Sequence, residues 1–178
     1  MYLYAMSKAT QPEVWLRGAL PNVSPYLQPA AHALLQAKEE INALVENFPD
    51  SLLWEKPSGM ASAGFHLQHI PGVLDRLLTY AHGEQLSAEQ FAYLKKEGTP
   101  GGETTSVLLN YVNQQVDAFV EALQFMDEKK LTEAREVGRA KLPSTVLGLV
   151  FHAAEHTMRH TGQLLVTVNV LQAGNHLR

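Results

Sequence analysis

Apolar residues recur at the period of an α-helix over four long stretches of this chain, and that pattern restricts the fold more than anything else in it. The first stretch carries Leu27, Ala31, Leu34, Leu35, Ile41, Leu44, Val45 and Phe48. The second carries Phe65, Leu67, Ile70, Val73, Leu74, Leu77, Leu78 and Tyr80; the third Val107, Leu108, Tyr111, Val112, Val116, Phe119, Val120, Leu123 and Phe125. Residues three and four apart share one side of a helix, so each stretch has a stripe that must be buried against another element. Ser24-Pro25 predicts a start, Ser as N-cap and Pro at the first helical position, for a helix over about 25–47 that Pro49 stops. The second helix is expected over about 61–81, ended by Gly83 and kinked at Pro71, which removes a backbone bond. Ser87-Ala88-Glu89-Gln90 reads as a capping box for a short helix over 89–96. Gly98-Thr99-Pro100-Gly101-Gly102 is a break rather than a phosphate loop, since no strand precedes it and no Gly-Lys-Ser/Thr follows. The third helix is expected over about 104–126, one short helix within the charged stretch 127–143, and a fourth long helix over about 145–172 opened by Pro143-Ser144. Thr167-Val168-Asn169-Val170-Leu171 could pass for a strand, but the helical stripe continues through it.

These elements predict an all-α fold, a four-helix bundle of up-down helices with a long connection and short extra helices. With 178 residues the chain is long enough for one stable core. Residues 1–23 read as an irregular lead-in, in which Trp15, Leu16 and Leu20 are expected to pack, and 24–174 as a single bundle domain. Met6-Ser7 reads as a second possible start. Trp54, in the linker after the first helix, is expected to plug one end of the core.

The chemistry concentrates in the fourth helix. The chain has eight histidines, and His152, His156 and His160 fall at intervals of four. Neighbours four apart stand one turn above each other, so such a pair can turn ring nitrogens toward one point and supply half of a metal site. At about 100° per residue, Val146, Val150, Ala153, Ala154, Thr157, Leu164, Leu165, Val168 and Leu171 share an apolar arc, opposite Glu155, Arg159 and Gln163. His160 falls just inside one edge of the arc, His156 on its border and His152 toward water. On the second helix His66 lies within the apolar arc and His69 at its edge, and spacing does not choose between them as a further ligand. A core histidine at His66 and a solvated His-rich helix edge are the plain alternatives. His152-Ala-Ala-Glu155-His156 also fits the H-x-x-E-H pattern of inverted zinc proteases, with Glu155 as base. Such sites need an acidic ligand downstream, and no Asp or Glu follows His160, so that reading is set aside.

Composition removes other classes. Without cysteine there is no disulfide, thiolate metal site or cysteine nucleophile. The formal charge is −4, and Lys129, Lys130, Arg135, Arg139 and Lys141 alternate with Asp127, Glu128, Glu133 and Glu136, so no nucleic acid is expected as partner. No stretch approaches the roughly 18 apolar residues of a membrane span. Lys8, Glu13 and Arg17 break up the first twenty residues, which do not read as a signal peptide, and a cytoplasmic location is expected.

Two stretches carry a resemblance. Trp54-x-x-Pro57 leads to Phe65-His66-Leu67-Gln68-His69-Ile70 and Asp75-Arg76-Leu77-Leu78; Pro143-Ser144-Thr145-Val146-Leu147-Gly148 runs into the histidine helix, which ends H-x-x-x-H-x-G-Q at Gln163. Together they resemble the DinB-like (DinB/YfiT-type) family, from the first helix to the fourth. The resemblance implies a four-helix bundle, often a homodimer, with a metal held by one histidine of the second helix and a pair on the fourth. By position these are His69, His156 and His160, leaving His66, His152, Glu155 and Gln163 as outer partners or alternative ligands. Relatives include S-transferases that use low-molecular-weight thiols and a thiol-dependent isomerase. Three nitrogen ligands suit nickel, zinc or iron and leave the divalent metal open to water or a thiol. Without cysteine, a thiol must come from solution. Arg76 or Arg159 could hold a carboxylate on the thiol or on a small-molecule substrate. The expected function is therefore a divalent-metal-dependent enzyme, with thiol-dependent S-transfer as the leading reaction. A metal-dependent hydrolase and a non-catalytic metal-binding or stress-response bundle are the alternatives. The histidine face of the fourth helix offers no carboxylate base, which weighs against general-base hydrolysis.

Overall fold

The computed structural model describes residues 11–175, so the second start at Met6 lies outside the described residues. Five α-helices and a hairpin follow in order: α1 Gln28–Val45, α2 Ala63–Ala81, α3 Ala88–Lys96, α4 Thr105–Leu123, β1 Ala134–Val137, β2 Leu142–Thr145 and α5 Val146–Asn175. The long helices α1, α2, α4 and α5 form an all-α four-helix bundle. Around its axis the order is α1, α5, α2, α4, so α1 and α2 stand diagonally opposite. Leu34 and Ile41 of α1, Leu67 and Leu74 of α2, Val116 and Leu123 of α4, and Leu164 and Val168 of α5 meet in one core with no exposure. Each fully buried side chain of this kind contributes about 1.5–3 kcal/mol.

Side-chain caps fix several helix starts. The hydroxyls of Ser62, Ser87 and Thr104 accept from the backbone N–H groups of Phe65, Gln90 and Val107. Ser87 and Gln90 close the expected capping box on α3. α1 differs: it begins at Gln28, not after Ser24. The Ser24 carbonyl instead accepts from Leu27 and Gln28 N–H in a turn. Pro29 gives the reason. A proline lacks the N–H for a bond to residue 25 and is tolerated only in the first helical turn, where it sits.

The connection from α1 to α2 links diagonal helices across the bundle end. Leu53 is buried there, its carbonyl accepting from Gly64 N–H at 2.7 Å. Trp54 packs against the core as expected, its ring over Gly64: a Cβ on that glycine would stand 2.7 Å from two indole carbons. In the lead-in, a 3-10 turn at Val14–Leu16 buries Val14, whose N–H donates to Gln36. Leu20 is half-buried against the core, but Trp15 and Leu16 are exposed, contrary to expectation.

The larger departure is the stretch expected to hold a short helix. It forms a 3-10 turn at Glu128–Lys130 and then an antiparallel hairpin in the register Ala134↔Thr145 to Val137↔Leu142. Gly138 and Lys141 both have positive φ at its tip, which a helix does not accept. Pro143, read as a helix opener, lies in β2 opposite Glu136; a two-stranded ribbon consists of edge strands, which tolerate proline. α5 follows directly and continues through Thr167–Leu171 as a helix. Leu165, placed on its apolar arc by spacing, is 41% exposed.

Candidate metal centre

Four histidines meet where α2 passes α5. His66 and His69 stand three apart on α2, and His156 and His160 four apart on α5. His69 Nε2 lies 3.0 Å from His156 Nε2, and His66 Nδ1 lies 3.0 Å from His160 Nδ1. Ring centroids are 4.5 Å apart for His156 and His160 and 4.6 Å for His69 and His160. His69, His156 and His160 each present a ligand atom within 4.8 Å of the other two. Phe65 stacks on His69 with centroids 5.0 Å apart and stands edge-on to His66, walling the α2 side.

Three of these rings, His66, His156 and His160, are held neutral by their surroundings. Burial, with neighbouring His69 adding to it, lowers His66 from the usual 6.5 to about 4. His156 falls to about 4 by burial and then the influence of His69 and His152. His160 falls to about 3 by burial, then His69 and His156. Neutral imidazoles keep a nitrogen lone pair, which is what a metal requires.

This donor set could hold a divalent metal. Nitrogen ligands at about 2.0–2.1 Å from a tetrahedral ion lie about 3.3 Å from one another, close to the separation of the His69 and His156 nitrogens. In addition, His156 Nδ1 is buried and, among the described residues, has no hydrogen-bond partner. With no partner on Nδ1, no described residue fixes the His156 tautomer against a lone pair on Nε2.

The other singled-out residues are placed as follows. His66 is 2% exposed, touches His160, and lines a cleft of about 580 Å³. That cleft opens against the cluster between the 57–61 segment and α5, with Arg159 and Gln163 as its polar walls and Met60, Val166 and Val170 as apolar ones. His152 stands on the exposed side, with its Nδ1 2.7 Å from Glu155. Glu155 also accepts from Arg159, so its carboxylate serves those two residues and does not reach His69 or His160. His152, Glu155 and His156 nonetheless make a second group with ligand atoms within 4.8 Å. Arg76 is 8% exposed and turned inward, away from the cleft walls.

Sequence reasoning missed Glu97. This residue follows α3, and its carboxylate lies 2.6 Å from His69 Nδ1 through one oxygen and 2.6 Å from Arg76 Nη1 through the other. Its side chain is 5% exposed. The expectation of no carboxylate base concerned the histidine face of the fourth helix alone; this acid arrives from a different element, 28 positions from His69. One local signal existed: an acidic residue at a helix C-terminus opposes the helix dipole and wants another reason to be there.

A family model described as the DinB superfamily matches residues 33–164. A conserved protein from Enterococcus faecalis has a similar structure, with a TM-score of 0.68 at 14% identity over 82% of this chain and 96% of that one. A DinB-like protein from Bacillus cereus gives 0.60 at 20% identity, covering 79% and 91% of the two chains. A Streptococcus pneumoniae protein gives 0.61 at 14% identity, covering 85% and 93%. At these identities the likeness concerns the fold alone. No curated protein matches the chain in sequence. Among the described residues, no helix is long and apolar enough to cross a membrane.

Proposed function

Since the chain belongs to the DinB superfamily, we propose that it is a divalent-metal-dependent enzyme whose ion is held by His69, His156 and His160, and that it transfers a low-molecular-weight thiol to a small electrophilic substrate. One observation carries this reading: three imidazoles from two helices converge within 4.8 Å of one another, beside His66, which lines an open cleft. A divalent ion bound by nitrogen alone, whether nickel, zinc or iron, would act as a Lewis acid and favour thiolate over thiol near neutral pH.

The chain's own residues supply the rest. Burial keeps His156 and His160 unprotonated at neutral pH. Met60, Val166 and Val170 give the cleft walls that exclude water from an apolar substrate, while Arg159 and Gln163 offer donors at its rim. The thiol sulfur forms a bond to the electrophilic carbon, its proton leaves to solvent, and the displaced group departs with the bonding pair. No cysteine is present to supply that sulfur, so the thiol is a soluble cofactor. Exposed Leu147, Phe151 and Leu165 on α5 support assembly as a homodimer. We place the protein in the cytoplasm and take residues 24–174 as one folding unit.

Metal analysis of untagged protein tests the reading, alongside His69→Ala and His156→Ala. About one ion per chain, absent from both variants, is the expected result. No ion in the wild type, even after nickel or zinc is added, would leave a non-catalytic bundle. Hydrolysis of model esters without added thiol would replace transfer by hydrolysis.

A further inference from the structure

Glu97 is held more firmly than a surface carboxylate needs to be. Gly98 N–H donates to Gln68 Oε1 at 2.8 Å, and the Tyr93 hydroxyl donates to the Gln68 carbonyl at 2.8 Å. Both ends of the segment that carries Glu97 are thus pinned to α2. Space for the carboxylate is made by Gly72 of α2: a Cβ there would stand 2.5 Å from Glu97 Oε1 and 2.9 Å from Arg76 Nη1. Glu97 and Arg76 side chains are 5% and 10% exposed. An ion pair shut off from water to this degree persists only with its hydrogen bonds filled, and here the partner on the second oxygen is His69 Nδ1.

We infer that Glu97 is a positioning residue: gripped by Arg76, it fixes the proton of His69 on Nδ1 and so presents Nε2 to the metal. The inference rests on His69 being a ligand, the reading proposed above. Its chemistry is short. A carboxylate accepts hydrogen bonds and donates none, so the nitrogen facing it at 2.6 Å carries the hydrogen. A neutral imidazole with Nδ1–H has its lone pair on Nε2, the atom 3.0 Å from His156 Nε2. Carboxylates that hold ligand histidines in this way set tautomer and ring orientation, and their loss costs about 10- to 100-fold in metal affinity.

Glu97→Gln gives a sharp test because the replacement keeps the shape and changes the donors. Arg76 donates only, so it takes the amide oxygen. The amide NH2 then faces His69 and requires Nδ1 to accept, which moves the proton to Nε2 and blocks the ligand atom. The tautomer is read by long-range 1H–15N couplings of the imidazole in metal-free protein at about pH 7.5, where an ordinary histidine is neutral. Zinc affinity is read by competition with a chromophoric chelator. Nδ1–H in the wild type, Nε2–H in Glu97→Gln, and a loss of about 10- to 100-fold in zinc affinity with helix content retained are the expected results. Wild-type His69 protonated on Nε2 overturns the inference, and this reading needs no variant to fold. A folded Glu97→Gln with unchanged tautomer and affinity overturns it as well. Failure of wild type to bind zinc or nickel would instead sink the metal reading, while the tautomer still reports on the Glu97 grip.

Discussion

At the scale of single residues, the histidines make the metal-free protein sensitive to acid. His66, His156 and His160 titrate near 6.5 in an unfolded chain and at about 4, 4 and 3 when folded. As pH falls below 6.5 the unfolded chain takes up protons first, so stability drops across the window from 6.5 to about 3 and flattens below it; above 6.5 the contribution is complete. Arg76 and Arg159 stand nearby as fixed positive charges, and Glu97 is occupied by Arg76 and His69. Urea unfolding of metal-free protein is therefore expected to show a lower midpoint at about pH 5 than at about pH 7.5. Equal midpoints would mean that the rings are not held neutral by burial. The three residues the family resemblance selected, His69, His156 and His160, meet as a group, and helical spacing had already put them at the edges of two stripes. Spacing could not separate His69 from His66, because both lie near the same face; a distance between two helices was required. Periodicity could not reach Glu97 either, since nothing periodic relates the end of α3 to the middle of α2; only its place against the α3 dipole hinted at a role.

At the scale of elements, the long helices were legible because burial imposes a period on their residues, and that period survives to within a few positions at each end. α1 starts late because Pro29 outweighs the attractive Ser24-Pro25 pair, a contest decided by backbone bonding. The hairpin was not legible as such: its strands are four residues long, β1 carries Arg135 and Glu136 in mid-strand, and β2 carries Pro143 and does not alternate in burial. Close packing at glycine is equally silent in sequence. Gly64 lies under Trp54, and Gly64→Ala forces its methyl group into the indole. Overpacking of this kind costs about 1–3 kcal/mol, more than the roughly 1 kcal/mol that alanine gains over glycine in a helix. A lowered urea midpoint is expected for Gly64→Ala. Gly162→Ala on α5, where a Cβ meets nothing within 4 Å, is the control and is expected to be neutral or stabilising. Equal effects at the two sites would show that Trp54 does not close the core end.

At the scale of the whole molecule, the diagonal arrangement of α1 and α2 leaves both α4 and α5 as neighbours of α2, and it is the α2–α5 contact that brings the histidines together. An ion bound there stabilises the folded chain by mass action, by about 2.7 kcal/mol at a free concentration 100 times the dissociation constant. For a chain of this size that raises the melting temperature by roughly 5–10 °C. Zinc added to the wild type is expected to give this shift, and to leave His156→Ala unmoved. The same contact has a consequence for how the protein comes to exist. His69 and His156 are 87 positions apart, and His66 and His160 are 94. Bringing such distant segments together costs closure entropy before any contact rewards it, which slows these pairings relative to contacts within a helix. While the chain emerges from the ribosome, α2 lacks the α5 side of its packing until α5 has been made. On the proposed reading, an ion held by His69, His156 and His160 would mark only chains translated through α5 and folded around it.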